Sequence, residues 1–153
     1  MAEASESASQ GYFRSADKVT TSLPWEPSFH TVDHIVPLVV APGVELRPVF
    51  GHGLAMTFLS MQPHSEATLH AHPEEQMGTV LEGEYEFEVN GVRRLCRRGD
   101  VYVVPPGVPH GARTFDRPCL AIDVFAPPRG GMREMWEAAV RGALRREKAG
   151  EKA

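Results

Sequence analysis

From Val44 onward the chain runs in short stretches of alternating apolar and polar residues, each closed by glycine, proline or asparagine. That is the pattern of short, half-buried β-strands. Residues 54–61 (LAMTFLSM) form an apolar run bounded by GHG and PH, and residues 68–76 and 77–82 continue as extended pieces up to Gly83. In EYEFEVNG the alternation is strict. Tyr85, Phe87 and Val89 share one face, and Glu84, Glu86 and Glu88 the other. Asn90-Gly91 is the strongest hairpin signal in the chain. VRRLCRR returns as its partner, with arginines available to face the glutamates. Residues 100–104 and 120–125 (LAIDVF) read as two further buried strands. After Pro127-Pro128 the period changes: Met132, Trp136, Val140, Ala143 and Leu144 mark one face of an amphipathic helix over residues 130–147.

The N-terminal part lacks this rhythm. Residues 1–18 are small, polar and acidic, and are expected to be a disordered tail. Residues 19–43 carry Pro24, Pro27, Pro37 and Pro42, which break an extended arm into short pieces. Trp25 and Phe29 could pack this arm onto its own domain or onto a neighbouring subunit. The expected layout is therefore a tail (1–18), an arm (19–43), a barrel (44–129), a helix (130–147) and a short tail (148–153). Seven or more short strands followed by one helix predict an all-β fold, a small barrel.

Composition narrows the function classes. With 153 residues the chain is expected to be one domain with a real core. A formal net charge of -4 gives no global basic field for nucleic acid. Arg93, Arg94, Arg97 and Arg98 are better read as a charge-paired sheet face opposite three glutamates. Cys96 and Cys119 make no CxxC motif and no disulfide framework, which fits packed thiols in a reducing cytoplasm. MAEASESASQG lacks a basic and an apolar signal region, and no apolar run reaches membrane-span length.

The candidate chemistry sits in HAHPEEQMGTVLEG (70–83) and GDVYVVPPGVPH (99–110). In an extended strand, side chains two and four apart share a face, so His70, His72 and Gln76 would project into one cavity. His110, just after a Pro-Pro-Gly turn, is the natural fourth group. Three imidazoles and one amide oxygen suit a single divalent transition ion, with Zn, Ni, Fe, Mn, Co and Cu undistinguished. Without a carboxylate ligand such an ion keeps its full charge and favours Lewis-acid chemistry. His30, His34, His52 and His64 are read as incidental, and Glu74 and Glu75 as solvated loop charges. Tyr102, between Asp100 and Val104, offers a hydroxyl inside the barrel.

These two stretches resemble the paired motifs of the cupin superfamily, H-x-H-x3-E-x6-G and G-x5-P-x-G-x2-H. The resemblance implies a double-stranded β-helix whose metal ligands are His70, His72, Gln76 and His110. Gln76 replaces the usual glutamate, His64 stands where a glycine commonly opens the first motif, and Thr114 where an asparagine often closes the second. Within the superfamily, HxHPxEQ, LPWEP, GVELRPVFG, VLEGEYEFEVNG and DVFAPPR resemble the pectin-degradation (KdgF-type) cupins. That resemblance implies ketonisation of a 4,5-unsaturated uronate. It makes Asp123 a proton shuttle, Arg129 the partner of the substrate carboxylate, and Phe125 a pocket wall. Gly130-Gly131 stands in place of an expected acidic pair, and the arm is longer than that family needs. Two alternatives remain open. One is a natural-product cupin acting as a cyclase, isomerase, decarboxylase or oxygenase; the other is a non-catalytic binding module. The expected partners are a small-molecule substrate and a second copy of the chain.

Overall fold

The computed structural model describes residues 25–150. The expected tail 1–18, the start of the arm and residues 151–153 lie outside the described residues. One turn of 3-10 helix (Val32–His34) precedes nine strands. They are β1 Leu38–Ala41, β2 Val44–Phe50, β3 Ala55–Met61, β4 Glu66–His70, β5 Glu75–Val89, β6 Val92–Arg97, β7 Val101–Val104, β8 His110–Arg113 and β9 Cys119–Ala126. The helix α1, Gly130–Ala149, ends the described chain. Among the described residues no helix is long and apolar enough to cross a membrane.

Every strand pairing is antiparallel, and β5 organises them. Its first half pairs with β9 on one side and β7 on the other. Its second half pairs with β6 and β8. One sheet therefore runs β1-β2-β3-β9-β5-β7, the other β6-β5-β8-β4, and the two share β5. This is the all-β barrel expected from the alternation, in the jelly-roll form that the motif resemblance implied. The bend that lets one 15-residue strand serve both sheets lies at Gly83, next to a register slip between Val80 and Glu82. Gly83 has φ 73°, and a Cβ there would run into the Pro118 carbonyl, so only glycine makes this bend freely.

The structure corrects three details of the strand reading. Residues 68–76 are not one strand: His70 ends β4, a turn follows, and Gln76 is the second residue of β5. β8, starting at His110, was not among the expected strands. The sheet also begins upstream of Val44, because β1 in the proline-rich arm pairs with β2. The hairpin reading holds in detail. Arg97 Nε donates to Glu84 at 3.0 Å and Arg93 Nε to Glu88 at 2.8 Å, while Arg113 of β8 reaches Glu86 at 2.8 Å. Arg94 instead pairs with Asp100.

Inward residues of β3 (Ala55, Thr57, Leu59, Met61) and β9 (Cys119, Ala121, Asp123, Phe125) alternate with half-buried ones, as a sheet with one core face requires. The core is closed by Val44, Val80, Tyr85, Phe87 and Val104. α1 covers the end of the barrel: Met132 and Trp136 pack with Leu38, Ala55 and Phe125, and Trp136 Nε1 donates to the Val36 carbonyl at 2.8 Å. The two motif departures keep their backbone roles. His64 takes the left-handed φ of 56° that a glycine would favour. The Thr114 hydroxyl donates to Gln62 O and accepts from Ser65 N, tying the β3–β4 turn to the end of β8.

Candidate metal centre

Strand register sets two of the candidate ligands side by side. His70, the last residue of β4, pairs directly with His110, the first of β8, and their ring centroids are 4.5 Å apart. His72 enters from the β4–β5 turn, 4.9 Å from His110 by the same measure. One ligand atom from each of the three histidines lies within 4.8 Å of the others. The turn, rather than a continuous strand, brings His72 to the other two.

The tautomers are fixed by the backbone. His70 Nδ1 donates to Thr68 O at 2.7 Å, His72 Nδ1 to Glu74 O at 3.1 Å and His110 Nδ1 to Val108 O at 2.8 Å. A carbonyl only accepts, so each Nδ1 holds the proton and each Nε2 keeps a free lone pair. His110 Nε2 is buried with no hydrogen-bond partner. Gln76 Oε1 faces His72 Nε2 at 3.1 Å, again acceptor against acceptor. The amide cannot simply turn over, because Gln76 Nε2 donates to Asp123 Oδ1 at 2.7 Å. Lone pairs gathered in a buried space suit a cation. The residues present therefore fit a divalent transition ion held by three neutral imidazoles and one carbonyl oxygen.

Burial favours the neutral form of two of the imidazoles. It pushes His110 down to about 4, with His70, His72 and Arg129 adding to the effect and the Val108 bond opposing it. His72 is also lowered, by burial and then by the Arg129 charge.

Beside the ligands lies an acid. The sheet register runs Thr57, Asp123, Gly78, Tyr102 across β3, β9, β5 and β7. Gly78 has no side chain to separate its neighbours, so the Tyr102 hydroxyl donates to Asp123 Oδ1 at 2.6 Å. A Cβ on Gly78 would collide with both groups. Tyr102 lines the cavity, and it also holds Asp123 in place. Burial raises the Asp123 carboxyl above the ordinary carboxylate range; the hydrogen bonds from Tyr102 and Gln76 and nearby positive charge oppose this.

Arg129, at the entry to α1, lies with its guanidinium 5.3 Å from the Phe125 ring centroid. Its Nε is 3.7 Å from Glu74 Oε2, and that carboxylate is also 3.2 Å from His72 Nδ1. Glu74 is thus no solvated loop charge, whereas Glu75 is exposed. Sequence reasoning read Glu74 as a solvated charge and passed over Gly78. An isolated glycine inside a strand pattern is the signal that would have marked Gly78 as a place of close approach. Phe125 meets the His72 ring edge-on at 5.5 Å. The other histidines stay apart from this cluster: His52 stacks on Trp25, His30 bonds Ser28, and His64 pairs with Asp116. A cavity of about 270 Å³ opens beside the cluster, with His70, Gln76, Asp123 and Arg129 at one part of its wall and Leu46 and Leu59 at another.

The chain is a nine-stranded jelly roll among the described residues, with three histidines inside it that could hold a metal ion. Residues 57–125 match the Cupin_2 model, described as a cupin domain, and the fold is the cupin jelly roll. Among solved structures it is similar to KdgF from Halomonas sp., with 28% identity and a TM-score of 0.65 over 70% of this chain and 99% of that one. It is equally similar to an RmlC-like cupin from Shewanella frigidimarina, with 29% identity and a TM-score of 0.65 over 70% of this chain and 96% of that one. Among curated proteins, the H2HPP isomerase of Bacillus subtilis is 41% identical over 64 residues, 40% of this chain. The match spans only 27% of that protein's length.

Proposed function

We propose that this chain is a metal-dependent isomerase that ketonises a small unsaturated sugar acid, with a 4,5-unsaturated uronate as the substrate. The observation that carries the reading is Asp123, a buried carboxyl hydrogen-bonded to the candidate ligand Gln76 in a cavity that also contains Arg129. Ketonisation of the cyclic substrate opens its ring: the C1 hydroxyl gives up a proton as the bond from C1 to the ring oxygen breaks, that oxygen becomes the C5 carbonyl, and C4 gains a proton, so no atom is lost. A carboxyl whose proton affinity is raised toward neutrality suits that transfer. Both hydrogen bonds from Gln76 and Tyr102 fall on Oδ1, leaving Oδ2 as the oxygen for proton exchange. Held by His70, His72, Gln76 and His110, a divalent ion would supply Lewis-acid polarisation of a substrate oxygen. Arg129 binds the substrate carboxylate, since its contact with Glu74 at 3.7 Å is too long to use up its donors. Phe125 supports the guanidinium from below. The cavity, at about 270 Å³, suits a ligand of sugar-acid size. The partial identity to an isomerase and the likeness to KdgF support the same class.

A second reading, natural-product chemistry on a less polar substrate, is favoured by the apolar stretch of wall around Val44, Leu46 and Leu59. Arg129→Lys separates the two, because a uronate needs the bidentate guanidinium and an apolar substrate does not. A homodimer is proposed with either reading. Met77, Leu81, Val101 and Val103 expose an apolar outer face on β5 and β7, of a kind that marks an interaction surface.

The deciding experiment pairs metal analysis with an assay on 4,5-unsaturated galacturonate, following loss of absorbance of the conjugated double bond. Metal-dependent acceleration that disappears in His110→Ala and Asp123→Asn is the expected result. One ion per chain without acceleration would move the reading to natural-product chemistry. Ligand binding with no turnover of any candidate would make the chain a binding module. No metal under any loading condition would overturn the site itself.

A further inference from the structure

Three imidazoles and an amide carry no negative charge, so a divalent ion held by the candidate ligands would find none among them. One nearby acid, Asp123, bonds Gln76 and is assigned to proton transfer above. Glu74 is the other. Its side chain is only 12% exposed, and Oε2 is buried with no hydrogen-bond partner. That oxygen stands 3.2 Å from His72 Nδ1 and 3.7 Å from Arg129 Nε. A carboxylate taken out of water without hydrogen bonds destabilises a fold unless positive charge compensates it. Arg129 alone compensates poorly, because 3.7 Å lies beyond hydrogen-bond range. Glu75, the next residue, is exposed, so an acid at this point of the chain can face water instead.

One residue thus brackets the His72 ring. The Nδ1 proton goes to the Glu74 carbonyl at 3.1 Å, and the Glu74 carboxylate lies 3.2 Å from the same nitrogen. A carboxylate beside Nδ1 makes Nε2, on the far side of the ring, a stronger donor to a cation. Arg129 acts in the reverse sense. Its charge disfavours a cation at both His72 and His110, while Glu74 favours one at His72. Buried charges are screened much less than surface ones, so both effects persist in salt. Without Glu74, the residue proposed to anchor the substrate carboxylate would work against the ion.

We propose that Glu74 is a positioning residue for the metal centre: it acts through His72, supplies the negative charge that the ligand set lacks, and offsets Arg129. The assignment rests on the metal centre described above and is independent of which substrate the site turns over. It allows a cation and a cationic substrate anchor to share one small site without a carboxylate ligand.

The test measures Zn²⁺ affinity of the full-length protein by competition with a chromophoric chelator at one fixed pH near neutrality. The wild type is compared with Glu74→Gln, Glu75→Gln and a Glu74→Gln, Arg129→Ala double variant. Glu74→Gln is expected to bind Zn²⁺ at least about tenfold more weakly, the scale on which groups that orient a ligand act. Glu75→Gln removes the same charge in solvent and is expected to stay within about twofold of the wild type. The double variant is expected to regain about threefold or more over Glu74→Gln, because the unopposed positive charge has gone. A contact that served only the fold would give no such recovery. Wild-type affinity in Glu74→Gln, an equal loss in Glu75→Gln, or a double variant no tighter than Glu74→Gln would each overturn the assignment. A wild type that does not bind Zn²⁺ would overturn it together with the metal centre. Affinities in the expected order without turnover of unsaturated galacturonate would sink the ketonisation reading and leave the role of Glu74 standing.

Discussion

Gln76 makes two contacts that a glutamate could not make together. Its carbonyl oxygen faces His72 Nε2, and its amide nitrogen donates to Asp123 Oδ1 at 2.7 Å. Gln76→Glu would set one carboxylate against another, and like charges at that distance raise the pKa of the pair. The variant is expected to keep its metal but lose at least about tenfold in kcat, with the acid limb of its pH profile shifted upward. Metal analysis with kcat measured across pH checks this. Asp123→Asn is expected to cost about a hundredfold or more in kcat with one ion per chain retained, the usual scale for losing a general acid–base. His110 sets a second pH dependence. Its ordinary value of 6.5 applies to the unfolded chain, while burial holds it at about 4 in the folded one. As pH falls between these values the unfolded state binds more protons, so the metal-free protein loses stability across that window. Melts of the metal-free protein from pH 7.5 to 4 are expected to show the fall, with a smaller one in His110→Ala.

At the scale of the element, β5 does the most. One strand supplies Gln76 to the ligand set, Gly78 to the approach of Tyr102 and Asp123, the bend at Gly83, and Tyr85 beyond it. Gly78→Ala is expected to destabilise the protein by about 1–3 kcal/mol through overpacking. It should also abolish turnover by displacing the Tyr102–Asp123 pair, whose atoms a Cβ would meet. Denaturant melts and a turnover assay on the same sample check both halves. β5 was legible from sequence as alternating pieces, but Gly83 looked like a strand end. A glycine stop and a glycine bend share the same local signal, and only the pairing of both halves distinguishes them. β8 escaped notice because HGAR has neither an apolar run nor clear alternation. Its strand character comes from partners β4 and β5 on either side.

For the molecule as a whole, the first sheet turns an apolar surface outward as well as inward. Met77 and Val103 are cross-strand partners, and they are 48% and 50% exposed. With Leu81 and Val101 they form the patch on which the homodimer proposal rests. Light scattering is expected to give twice the chain mass for the wild type and the chain mass for a Met77→Lys, Val103→Glu double variant. Retention of the dimer in that variant would move the interface elsewhere. α1 lies at the barrel end, where Met132 and Trp136 pack near Phe125, so the helix braces the segment that presents Arg129.

The sequence by itself determined the strand period, the Asn-Gly hairpin with its paired charges and the terminal helix, and it named four candidate ligands. All of these are local, because side-chain direction along a strand and ligand spacing in a motif depend on neighbours a few residues apart. Only the tertiary structure decided how the ligands meet. The turn after β4 delivers His72, and the β4–β8 register sets His70 against His110. Three backbone carbonyls fix the imidazole tautomers. The tertiary structure also decided that Tyr102 holds Asp123 and that Glu74 lies between His72 and Arg129. Most of those contacts join residues far apart in the chain. Their register follows from how two sheets close around a shared, bent strand, which no window of sequence contains.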